Sequence, residues 1–187
     1  MTGKINRTLI LAKHQEFETD RLILRKLRLE DAADLLLYHG DETTAQLAGF
    51  EVHKTLEDAQ MDILEYGHQH FLTMWGLVLK SNEQLIGDIE LGIEGDKADF
   101  YFCLNQDFRA QGLTTEAASC LRDFYFDDLD ISVITGDHFL DNKASGRVME
   151  KLGMKHYGQY FDLDERDQAR LTDYYALTRE DFLEKRY

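Results

Sequence analysis

The chain has 187 residues, 43% hydrophobic and 11% aromatic, enough for one domain with a substantial core and too few for two ordinary ones. Its 36 acidic side chains against 21 basic ones leave a formal charge of −15. A field of that sign repels phosphate backbones and argues against nucleic acid as a partner, while it attracts a cation such as an amine or simply keeps the chain soluble.

Residues 1–17 read as a weakly patterned arm. Within it Thr8-Leu9-Ile10-Leu11 either adds an edge strand or stays loose. The domain proper spans 18–187. Thr19 to Arg25 is a first strand with Leu22 and Leu24 on one face. Asp31 to His39 is a helix with Ala32, Leu35 and Leu36 on its apolar side and Gly40 as its stop. Thr55 opens a second helix, lined by Leu56, Ala59, Ile63 and Tyr66 and ended by Gly67. Trp75 to Lys80 and Gln84 to Ile93 pair as a hairpin across Ser81-Asn82-Glu83, with a polar turn from Gly92 to Lys97. Phe100 to Leu104 is a buried strand. A helix carrying Ala117, Leu121, Phe124 and Tyr125 follows, capped by Thr114 or Thr115, and Ile131 to Thr135 is a short strand behind it. This strand-helix-strand path favours a parallel pair. Asp141 or Asn142 caps a last helix with Ala144, Val148, Met149 and Leu152, closed by Gly153. Tyr157 to Leu163 and Tyr174 to Thr178 form a closing hairpin. The fold class is α/β, with a mixed sheet under flanking helices. Cys103 and Cys120 read as reduced core residues of a cytosolic protein. With no signal peptide and no apolar run long enough to span a bilayer, the expected location is cytoplasmic, away from membranes. Proline is absent, for which the sequence offers no functional reason.

The most informative stretch runs from Phe100 to Ala118. A strand that enters a helix through a short Gly-containing turn leaves outward-pointing backbone N–H groups unpaired, and such a turn attracts anions. Two phosphate motifs fail here. A P-loop needs Gly-Lys-Ser/Thr, but Leu113 follows Gly112; the dinucleotide fingerprint needs three spaced glycines. What remains is Arg109-x-x-Gly112-x-Thr114. It resembles the pyrophosphate-binding signature of the GCN5-related N-acetyltransferases (GNAT), and Thr115-Glu116-Ala117 resembles the ribosomal-protein serine/alanine N-acetyltransferase branch. Ala110 replaces a frequent Gly, and Thr114 stands where Gly or Ala is usual. Asn142-Lys143-Ala144-Ser145-Gly146-Arg147-Val148-Met149-Glu150-Lys151-Leu152-Gly153-Met154 is similar to a second family pattern. Glu18 to Arg25, Glu30-Asp31-Ala32 and Gly87-Asp88-Ile89 match in order, so the resemblance covers roughly residues 18–182.

The resemblance implies a single-domain GNAT-like fold with a mostly antiparallel mixed sheet and a splayed central parallel pair. It implies acetyl-CoA as cosubstrate, with no metal. Pantetheine would lie along Phe102, Cys103 and Leu104. The pyrophosphate would sit on Arg109, Ala110, Gln111, Gly112, Leu113, Thr114 and Thr115, with Asn142 touching the cofactor. An amine would attack the thioester directly. The family's frequent tyrosine proton donor falls at Met149, leaving Ser145 as the nearest hydroxyl; it either protonates the leaving thiolate or packs at the helix start. Asp88, Glu90, Asp99, Asp162 and Asp164 are candidate bases or solvated carboxylates. Glu90 is preferred because the family usually carries its base on a strand beside the splay. His68 and His70 lack further metal ligands and read as surface residues, and Cys103 has no inferable His partner. The expected reaction is acetylation of a primary, cationic amine by a monomer or homodimer. The acceptor is a protein N-terminus such as that of a ribosomal protein, or a polyamine, amino acid or aminoglycoside. A non-catalytic acyl-CoA-binding module and a ligand-free scaffold are the rival classes.

Overall fold

In the computed structural model, which describes residues 5–186, the strands are β1 (Glu16–Glu18), β2 (Leu22–Arg25), β3 (Met74–Leu79), β4 (Leu85–Glu94), β5 (Lys97–Leu104), β6 (Val133–Phe139), β7 (Lys155–Leu163) and β8 (Ala169–Thr178). They form one eight-stranded sheet in the order β1-β2-β3-β4-β5-β6-β8-β7. Every neighbouring pair is antiparallel except β5 and β6, which are parallel as the strand-helix-strand path requires.

That parallel pair is short. β5 stays paired with β4 from Lys97 to Leu104, but with β6 only from Lys97↔Val133 to Phe100↔Gly136. Beyond Phe100 the two strands part, and the sheet opens into a fork.

Among the described residues, seven α-helices accompany the sheet: α1 (Arg7–Lys13), α2 (Ala32–His39), α3 (Glu42–Ala48), α4 (Leu56–Gln69), α5 (Leu113–Asp127), α6 (Lys143–Lys151) and α7 (Arg179–Glu184). One core cluster joins α5 and Met149 of α6 to Leu22, Trp75, Ile89, Leu91 and Phe100. A second joins Leu35 and Tyr38 of α2 and Ala59 and Ile63 of α4 to Val78, Leu85 and Cys103. Each large side chain buried in these clusters contributes about 1.5–3 kcal/mol. Helix starts are set locally. The Thr55 side chain accepts from the Asp58 N–H, and Asp58 accepts in return from the Thr55 N–H, closing a capping box on α4.

Several sequence expectations are corrected. The arm segment Thr8–Leu11 belongs to a helix, because Asn6 caps it, Leu11 enters the core and Arg7 reaches three backbone carbonyls. The edge strand is β1 instead; residues 1–4 of the arm lie outside the described residues. Helix α4 runs through Gly67 to Gln69, β4 continues to Glu94 before a two-residue turn, and β6 begins later and ends later than expected. Helix α3 had no counterpart in the sequence reading. Its signals are Asp41, whose carboxylate caps Thr44, and Gly49, which ends it at φ 88.

Candidate active site at the fork of the sheet

A cleft of about 350 Å3 opens where β5 leaves β6. Its lining includes Phe102, Cys103 and Leu104 of β5, the turn residues Arg109, Ala110, Gly112, Leu113, Thr114 and Thr115, and Asn142 and Ser145 of α6. Of the residues expected to hold cofactor, only Gln111 stands outside this lining; its carbonyl accepts from the Arg21 guanidinium at 3.0 Å.

The turn is built for exposed donors. Gly112, not Thr114 or Thr115, is the N-cap of α5; it lies at φ 78 and supplies no side-chain cap. Ala110 is also left-handed, at φ 60. Among the described residues, the backbone N–H groups of Gln111 to Thr115 find no acceptor. These are the orphan donors of a helix start, with the positive end of the helix dipole behind them.

Arg109 spends its guanidinium inside the protein. Nε donates to the Leu104 carbonyl at 3.2 Å, and Nη2 to Thr44 Oγ1 at 2.7 Å. Thr44 is held in turn by Asp41 at 2.6 Å. Arg109 therefore ties the turn to the end of β5 and to α3. The exposed cations of the cleft are Arg147 and Lys151, on one face of α6. The sequence reading missed them because their role depends on how α6 is laid across the fork.

Asn142 is the cap of α6: its side chain accepts from the Ser145 N–H and donates to the Leu47 carbonyl at 3.2 Å. The Ser145 side chain has no capping duty and makes no hydrogen bond among the described residues. Met149, where a tyrosine would stand, is 1% exposed and packs near Gly136, away from the cleft lining. Burial pushes the Cys103 thiol well up, so it stays protonated and inert.

Glu90 does not line this cleft. It pairs with Tyr101, one row past the last β5–β6 pair, and faces a second cavity of about 500 Å3 with Arg7, His70, Lys97 and Asp99. Glu90 is buried and accepts from Tyr66 Oη at 2.7 Å and Thr73 Oγ1 at 3.3 Å, with His70 Nδ1 2.5 Å away. His70 is therefore part of a buried-carboxylate pair, unlike His68, which is exposed as expected. Burial, and then the bond to Glu90, push the Tyr66 hydroxyl far above its ordinary value.

The other carboxylates have separate duties. Asp88 is fully buried and accepts from Tyr38 Oη at 2.8 Å. Asp99 accepts from Thr135 Oγ1 at 2.7 Å. Asp164 braces the β7–β8 turn through the N–H groups of Arg166 and Gln168, and Asp162 is exposed. Asp137, which the sequence reading passed over, is the first β6 residue beyond the fork and accepts from Tyr160 Oη at 2.5 Å.

The fork, the uncapped turn and the cleft between them define an acyltransferase architecture, and comparison places the chain in it. The acetyltransferase (GNAT) domain model matches residues 21–155, so the chain belongs to the GNAT family and is an N-acetyltransferase of that family. The relative YoaA of Bacillus subtilis, named only as an uncharacterized N-acetyltransferase, is 26% identical over 147 residues, covering 75% of this chain and 83% of its own. A GNAT acetyltransferase structure from Bacillus anthracis superposes with a TM-score of 0.77 at 22% identity, over 88% of this chain and 99% of the other. The ribosomal-protein-S5-alanine acetyltransferase of Vibrio fischeri gives 0.69 at 17% identity, over 89% and 97%. Among the described residues, no helix is long and apolar enough to cross a membrane.

Proposed function

We propose that the protein transfers acetyl from acetyl-CoA to a cationic primary amine, with the cosubstrate in the fork cleft and the amine approaching from the side of Glu90 and Asp137. The observation that carries this reading is the unpaired row of N–H groups from Gln111 to Thr115 beside Arg147 and Lys151. Together they offer a pyrophosphate both directed donors and countercharge. Phe102 to Leu104 lie beyond the last row of pairing with β6, which leaves that stretch open to an extended pantetheine arm.

Two groups move the protons, one giving and one accepting. Ser145, with its hydroxyl unclaimed at the cleft, protonates the departing thiolate. On the amine side, His70 and Glu90 act as one unit. With Nδ1 turned to the Glu90 carboxylate, His70 Nε2 is the acceptor for the amine's proton. Glu90 is thus the group that orients the base. Asp99 and Asp137 add negative charge where an ammonium would enter. A protein N-terminus is the preferred acceptor class, supported by the likeness to the Vibrio fischeri enzyme.

The test is thiol release from acetyl-CoA over a panel of peptides with free N-termini and of small polyamines, amino acids and aminoglycosides. Release with the peptides is expected. Release with small amines alone would overturn the acceptor class, and binding without turnover on any amine would overturn catalysis. Gly112→Val forces a branched side chain into a left-handed position and should abolish acetyl-CoA binding in a folded protein. Unchanged affinity by calorimetry would remove the turn from the site.

A further inference from the structure

Beside Asp88 of β4, one strand away from β5, three side chains converge that the acetyl-transfer chemistry does not use. His39 is the last residue of α2, His53 sits in the loop before α4, and Asp62 lies on α4. One ligand atom from each falls within 4.8 Å of the others, the one such group among the described residues. His39 is 8% exposed, and neither of its ring nitrogens has a hydrogen-bond partner; His53 Nδ1 is buried without one as well. Orphaned ring nitrogens at this depth are costly unless something outside the chain satisfies them.

The spacing indicates what does. His39 Nδ1 lies 3.6 Å from Asp62 Oδ2, too far for a hydrogen bond. Ligands bound at about 2.0–2.2 Å around a tetrahedral ion stand about 3.4 Å from each other. The opposite nitrogen, Nε2, faces Asp88 Oδ2 at 3.5 Å, and Asp88 is held by the Tyr38 hydroxyl. A metal-bound imidazole commonly has a carboxylate behind it in this way. Asp62 and His53 are only half-buried, which leaves an entry path for an ion.

We propose that His39, His53 and Asp62 bind one zinc-class divalent ion, with water in the fourth position and Asp88 as the outer carboxylate. Two imidazoles and one carboxylate suit zinc and disfavour magnesium, which demands oxygen ligands. The ion pins α2, the α3–α4 loop and α4 to one another over the strand whose Asp88 pairs with the cleft residue Cys103.

The full chain, freed of metal by chelator dialysis, should bind one equivalent of zinc chloride in calorimetry, with a rise in thermal midpoint. Magnesium chloride should give neither. Cobalt(II) should produce the visible absorption of a tetrahedral nitrogen–oxygen site. His53→Ala and Asp62→Asn, both at partly exposed positions, should each weaken zinc binding at least about tenfold. Absence of a saturable one-equivalent site, equal binding of magnesium, or retention of zinc affinity in both variants would overturn the proposal. His39 would then be a packing residue between Asp62 and Asp88.

Discussion

Ser145 sits in the first turn of α6 with its backbone N–H capped by Asn142 and its hydroxyl free at the cleft. A positioned proton donor contributes roughly 10²- to 10⁴-fold. Ser145→Ala should therefore lower kcat at least about tenfold and leave acetyl-CoA affinity nearly unchanged, read by steady-state kinetics beside calorimetry. A wild-type kcat would assign the thiolate's proton to solvent. Lys26 shows a different single-residue effect. Burial pushes its ammonium down to about 7 from 10.5. The Met74 carbonyl at 2.8 Å and the Trp75 ring centre at 3.7 Å favour the charged form without offsetting that burial. Between those two values the unfolded chain holds the proton and the folded one does not, so stability rises with pH across that window; below it the cost is fully present. Lys26→Met should accordingly be more stable than wild type near pH 6.5, and urea titrations should show the gap narrowing towards pH 9.5. A constant gap would sink the argument. At this scale the turn at Gly112 and the cap at Asn142 were legible as backbone features, because a strand-to-helix turn and a helix cap are local devices with fixed spacing. The duties of Arg109, Arg147 and His70 were not legible, because Thr44, the fork and Glu90 reach them only through tertiary contact.

Among elements, α1 shows how a short polar segment is tied down. Arg7 donates to the carbonyls of Leu129, Gly95 and Asp130 and pairs with Asp96 at 2.7 Å, closing α1 over the β4–β5 turn and the end of α5. Hydrogen bonds to a charged group contribute about 1.5–3 kcal/mol. Arg7→Ala should lower unfolding free energy by about that amount in urea, whereas a change under about 0.5 kcal/mol would show α1 to be decorative. The strands were readable where apolar runs were long, as in β3, β4 and β5, and where a turn signal bounded them. The arm failed because four apolar or β-branched residues fit a helix turn as well as a strand, and packing by Leu11 decided between them. Helix α3 escaped because seven residues with two threonines carry little periodicity, although Asp41 and Gly49 bracket it.

For the whole molecule, the charge of −15 sets a general field against which the fork's own charges act. The cleft presents Arg147, Lys151 and open N–H groups, while Asp99, Asp137 and Glu90 cluster on the proposed acceptor side. Added salt shortens the reach of such fields to about 8 Å at physiological strength. The kcat/KM for a cationic acceptor should fall as salt rises, chiefly through KM, while acetyl-CoA affinity does not fall, because that anion is held by a local site against the general field. A rate that ignores salt between low and physiological ionic strength would assign the acidity to solubility alone.

The fork also narrows the hydrogen-bonded ladder of the sheet. Among the described residues, four rows of pairing, Lys97–Phe100 against Val133–Gly136, are the sheet ladder between strands β1 to β5 and the unit β6-β8-β7. A seam that short leaves the joining of the two parts mainly to side chains: Met149, Leu152 and Tyr175 share one core cluster with Leu22 and Trp75, and Arg170 reaches the Gln46 carbonyl. Whatever fills the cleft touches β5 and the turn on one side and α6 on the other. The occupant then behaves as a missing strand would, adding links across a short seam, so the amide hydrogens of β6 should exchange more slowly in the substrate-loaded enzyme than in the free one.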